Sequence, residues 1–98
     1  MNIQKTQQYQ DELLHILETI AKDKIGASKK FRIQLDKALD NMVDFPYQYR
    51  QSIYFNNKEI REMIFKGYTI VYRIKTETQS IEIVSIFNQN KPKEVNNK

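Results

Sequence analysis

Between Ile60 and Phe87 the chain reads IREMIFKGYTIVYRIKTETQSIEIVSIF, and the side chains there best suited to chemistry are the cations Arg61, Arg73 and Lys75. Guanidinium and ammonium groups hold carboxylates and phosphates. The stretch contains no His and no Cys, and its acidic residues are scattered, so a hydrolase site has no obvious raw material there. Elsewhere the candidates are sparse. His15 falls between Leu14 and Ile16, where a surface or boundary histidine is the ordinary outcome. Asp36 and Asp40 share a helical face but have no His or Cys to complete a shell, so no metal is expected. SKKFR concentrates Lys29, Lys30 and Arg32, a patch for nucleic acid or an ordinary solvated face. PYQYRQSIYF puts Tyr47, Tyr49, Arg50, Tyr54 and Phe55 in one segment, and exposed aromatics beside an arginine are favoured in protein interfaces.

The elements that must position these groups follow from periodicity. Tyr9, Leu13, Ile16, Leu17 and Ile20 recur at spacings of three and four, which predicts a first helix with Thr6 as its cap. Ala27, Phe31, Leu35, Ala38, Leu39 and Met42 predict a second, ended by Pro46 because the residue before a proline leaves the helical region. The break falls between Lys24 and Gly26, with Gly26 expected to supply the left-handed turn that ends the first helix. So short a link implies an antiparallel hairpin. After Pro46 the period changes to two, and NKEIREMIF, YTIVYRIK and SIEIVSIF predict an antiparallel meander with turns at Lys66–Gly67 and Thr76–Ser80. NIQK is long enough for a short edge strand.

The expected fold class is therefore α+β: an N-terminal helix hairpin packed on one face of a small antiparallel β-sheet. In the middle strand Tyr68, Ile70, Tyr72 and Ile74 would face the hairpin, leaving Thr69, Val71, Arg73 and Lys75 on an open face. Ninety-eight residues make one domain, expected over 1–92, with 93–98 a polar tail expected to be disordered. The net charge of +4 and pI near 9.3 favour an acidic partner. Without cysteine there is no disulfide frame, which fits a reducing compartment. No apolar run has the length of a signal peptide or a membrane span, so a cytoplasmic protein with no membrane partner is expected.

With the hairpin, FPYQYR, IREMIFKGYTIVYRI and IEIVSIFNQNKP in place, the chain resembles the RelE/ParE superfamily of toxins from type II toxin–antitoxin modules, over about Gln7 to Pro92. The most specific part is Arg61, Gly67, Tyr68 and Tyr72. The resemblance implies a small, basic, cytoplasmic bacterial toxin neutralised by a cognate acidic antitoxin; no cofactor is expected. It also implies one of two targets. The RelE-like branch cuts messenger RNA in the ribosome, whereas the ParE-like branch inhibits DNA gyrase.

RNA cleavage needs groups that move protons and offset phosphate charge. The RelE-like branch carries lysines at positions matching Ile60 and Glu62, an arginine at Thr69, and another arginine near Asn88 and Gln89; all of these are departures here. The resemblance thus implies a ParE-like toxin that binds gyrase, with a ribosome-dependent endoribonuclease of altered site as the alternative. No catalytic residue is assigned. Arg61, Arg73, Lys75, Tyr49, Arg50 and Lys91 are the candidates for contact with antitoxin or target.

Overall fold

The computed structural model describes residues 1–88, so Lys91, Gln89 and the segment 93–98 lie outside the described residues. Six main elements follow in order: strand β1 (Asn2–Lys5), helices α1 (Gln7–Asp23) and α2 (Ile25–Asp44), then strands β2 (Ile60–Phe65), β3 (Tyr68–Lys75) and β4 (Ser80–Asn88).

Helix α1 begins where Thr6 accepts the Tyr9 amide on its hydroxyl oxygen at 3.0 Å, as a capping side chain should. The same hydroxyl donates to the Val84 carbonyl at 2.8 Å and so fixes the helix start to β4. The break before α2 differs from expectation in its chemistry. Lys24 alone makes it, in extended conformation at φ −152° and ψ 112°, whereas Gly26 lies inside the first turn of α2 and has no positive φ. One extended residue is enough to reverse the chain here because Ser28 donates its hydroxyl to the Leu17 carbonyl across the hairpin at 2.8 Å. Helix α2 stops at Asp44, with Phe45 outside it and Pro46 opening a short 3-10 turn, as the proline predicts.

The sheet runs β1-β4-β3-β2. Its last three strands form the antiparallel meander, and β1 adds to the outer side of β4 in parallel, which makes the whole sheet mixed. Lys66 and Gly67 both take positive φ, 48° and 85°, the two-residue hairpin turn whose twist suits adjoining strands. A bulge interrupts the β3–β4 ladder, with Val71 opposite Ser85 but Tyr72 opposite Ile83, leaving Val84 as the extra residue.

Between hairpin and sheet lies one core. Tyr9, Leu13, Phe31, Leu35, Leu39 and Met42 meet Met63, Ile70, Tyr72, Ile74, Ile81, Ile83 and Ile86. Each fully buried aliphatic side chain contributes roughly 1.5–3 kcal/mol. Ile70, Tyr72 and Ile74 face this core as the alternation predicts.

Two core tyrosines make stability depend on alkaline pH. Burial pushes the Tyr9 hydroxyl well above its usual range, helped by Asp36 nearby, and burial likewise raises Tyr72, whose hydroxyl donates to the Pro46 carbonyl. A group raised in the folded state favours folding while protonated, so its contribution is complete below the unfolded tyrosine value of about 10 and is lost as pH climbs above it. The urea midpoint should therefore hold steady to about pH 9 and fall by about pH 11, and Tyr72→Phe should lessen that fall while lowering the neutral-pH midpoint slightly. An alkaline fall of equal size in Tyr72→Phe would remove Tyr72 as a source.

Candidate functional site

The second face of the sheet, away from the hairpin, carries Ile60, Glu62 and Ile64 from β2 and Thr69, Val71, Arg73 and Lys75 from β3. The expectation of an open face holds only at one end. Thr69 is 2% exposed, and Val71 and Glu62 are as deeply buried. The cover is the segment 50–57. Ser52 donates its amide to the Ile60 carbonyl at 2.8 Å and Glu62 donates to Arg50 at 3.0 Å, so the segment first extends the β2 edge through a bridge between Gln51 and Arg61. It then crosses the strands, bringing the Tyr54 ring against Phe87 of β4 with centroids 5.5 Å apart.

The segment is held down by a carboxylate. Glu62, whose side chain is 0% exposed, accepts from Arg50 at 3.0 Å and 2.9 Å, from the Ser52 hydroxyl at 2.8 Å and from the Ile53 amide at 3.1 Å. A buried carboxylate without such donors would cost several kcal/mol, so these partners and the loop conformation stabilise one another.

Arg61 also departs from the ordinary expectation of a carboxylate partner. It donates to the main-chain carbonyls of Lys58 at 2.9 Å, Tyr49 at 2.9 Å and Tyr47 at 3.4 Å, and its guanidinium lies 5.1 Å from the Tyr47 ring centre. It therefore ties the proline turn to the loop before β2. Tyr49 packs edge-on against Tyr72 and is half-buried. Of the sequence candidates, Arg50, Arg61 and Tyr49 thus share one structural knot around β2.

Arg73 and Lys75 stand apart from that knot, at the uncovered end. Arg73 is exposed, and Lys75 lies 4.0 Å from Glu82. Both line a shallow polar pocket of ≈ 420 Å³ with Asn57, Glu59, Thr76 and Glu77. At the covered end the loop presents Ile53, 71% exposed, with Tyr54 and Phe55, and Ile64 of β2 is also exposed. Ile53 and Ile64 escaped the sequence reading. The signal available was their apolar type in a segment already rich in aromatics, and at the outward position of an edge strand.

This face can bind through an apolar ridge and a cationic end, and its exposed aromatics suit a protein partner. On the same face Ile60, Glu62 and Thr69 are all buried. His15 is exposed on α1. Among the described residues no three His, Cys, Asp or Glu side chains come together as a metal shell, and no helix is long and apolar enough to cross a membrane.

A helix hairpin over a β-meander, with the Gly67–Tyr68 turn feeding the middle strand, defines the class of RelE/ParE toxin folds. Solved structures of that class superpose over nearly the whole chain. The chromosomal ParDE system from P. aeruginosa gives a TM-score of 0.71 at 13% identity, covering 90% of this chain and 95% of that one. The isolated E. coli RelE toxin gives 0.63 at 17% identity, covering 98% and 90%. The intact E. coli RelBE toxin–antitoxin complex gives 0.63 at 16%, covering 92% and 98%. Residues 3–92 match the family described as ParE toxin of type II toxin-antitoxin system, parDE. The chain belongs to that family. No curated protein matches it.

Proposed function

We propose that this protein is the toxin of a type II toxin–antitoxin pair, that it acts by binding DNA gyrase rather than by cutting RNA, and that an acidic antitoxin silences it. One observation carries the choice of target: three positions at which the RelE-like branch carries basic groups hold side chains packed out of reach, Ile60, Glu62 and Thr69. Losing one transition-state contact to a phosphate costs about a hundredfold or more in rate, and contacts that act as a set fail together. Membership of the ParE family agrees with this reading. The cationic end of the second face, Arg73 and Lys75, suits an acidic segment of the antitoxin, and the ridge of Ile53, Tyr54 and Phe55 supplies apolar anchorage.

Purified toxin should inhibit gyrase supercoiling, or trap gyrase on cleaved DNA, and should leave ribosome-bound messenger RNA intact. Reversing the charge of Arg73 and Lys75 together should slow association with the antitoxin by about tenfold at low salt and flatten its salt dependence, because exposed charges mainly steer encounter. An unchanged association rate would take this end of the sheet out of the interface. Cuts in messenger RNA that vanish in Arg73→Ala would overturn the gyrase reading.

A further inference from the structure

The α1–α2 link places four lysines on the tip of the hairpin, which packs on the face of the sheet away from the second one. Lys22 is in the last turn of α1, Lys24 is the link itself, and Lys29 and Lys30 are in the second turn of α2. All four are exposed, and among the described residues none of them is in an ion pair, although Glu18 and Asp23 are close in sequence. Arg32 behaves differently, lying 3.9 Å from Asp36 one turn further along. The tip is also sterically open. Ile25 is 67% exposed, and a side chain built at Gly26 would meet nothing within 4 Å.

Lysines without neutralising partners, gathered on a protruding turn, form an electrostatic footprint for a polyanion. We propose that the hairpin tip is a second contact surface, one that takes the phosphodiester backbone of a nucleic-acid duplex. At 1.5 Å rise per residue, the turns carrying Lys29 and Lys30 extend about 8 Å from the link. A duplex presents one phosphate per about 1.7 Å of its axis, so four or five phosphates fall within that reach. Lysine is a point charge with rotatable donors; of its neighbours able to read a base edge, Phe31 is buried in the core and Arg32 lies 3.9 Å from Asp36. The contact is accordingly independent of sequence.

This surface does not rest on the gyrase reading, since a DNA duplex held by a topoisomerase and a ribosomal RNA helix share the chemistry it would meet.

The test is fluorescence anisotropy of labelled DNA and RNA duplexes, titrated with purified toxin over a salt series. Binding in the range of about 10⁻⁴–10⁻⁶ M is expected near physiological salt, with a slope of log K on log salt of about −3 to −4. Lys22→Gln, Lys24→Gln, Lys29→Gln and Lys30→Gln combined should bring that slope close to zero while circular dichroism stays that of the parent. Arg73→Ala with Lys75→Ala should keep it. Tighter binding of one duplex than the other supports the proposal and identifies the source of the phosphates. Absence of binding to both at low salt, or a four-site variant with the parent slope, overturns it.

Discussion

Ile70→Asp should yield no folded domain at neutral pH. Ile70 is wholly buried at the middle of the central strand, facing Ile86 across the ladder and the hairpin above it. Shortening an aliphatic core side chain already costs about 2–5 kcal/mol, and an unpaired buried carboxylate adds several more. A domain of this size is held by only about 5–15 kcal/mol, so the two losses together remove most or all of it. Circular dichroism and the loss of a cooperative urea transition would show this. A folded Ile70→Asp domain with a midpoint near that of the parent would mean that the strand register is wrong.

The companion substitution tests the other face. Strict alternation along YTIVYRIK predicts that Thr69→Asp is mild, since Thr69 points away from the hairpin. The structure keeps the alternation and changes the consequence. Thr69 lies between Ile64 and Phe87 in the sheet, and Tyr54 packs on Phe87, so a carboxylate at position 69 would lose its water as well. Thr69→Asp should lower the urea midpoint clearly, by an amount smaller than Ile70→Asp because Ile53, Tyr54 and Phe55 are exposed and can yield.

That contrast marks how far the sequence could be read. Helices, strands, the proline stop and the Lys66–Gly67 turn are local properties, written in spacing and in backbone preference, and these were legible. The core-facing set of β3 was legible for the same reason, because period two is intrinsic to a strand. What was hidden is tertiary. Glu62 looks like a solvated charge in any linear reading, and it becomes a buried anchor only when Arg50, Ser52 and Ile53 are folded against it, ten residues or so upstream. Arg61 looks like a partner for carboxylates and instead bonds three carbonyls that a proline turn and a loop present to it. Arg50, Arg61 and Tyr49, named from the sequence as separate contact candidates, are gathered by that knot, whereas the exposed apolar residues of the ridge had no periodic signature.

Glu62→Lys should free the segment 50–57 from the sheet and lower the urea midpoint clearly, because a buried ammonium would replace the carboxylate that accepts from Ser52, Ile53 and the half-exposed Arg50. The position is informative because a lysine stands there in the RelE-like branch. If the toxin were a nuclease short of one basic group, the substitution would move it toward activity. In this fold the new ammonium would instead sit against Arg50, and the Ser52 hydroxyl and Ile53 amide would lose their acceptor. Hydrogen exchange should speed up at the Ser52 and Ile53 amides, and limited proteolysis should cut within 53–57. Glu62→Gln keeps one acceptor oxygen but turns an amide group toward these donors, so it should loosen the segment less. Association with the antitoxin should weaken in the same order if the ridge of Ile53, Tyr54 and Phe55 is part of that interface, because the ridge must then be ordered again at each encounter. Parent-like protection at Ser52 in Glu62→Lys would show that the loop is held by its backbone pairing to β2 alone. A gain of ribosome-dependent RNA cleavage would overturn the gyrase reading and make position 62 of β2 a candidate for a catalytic role.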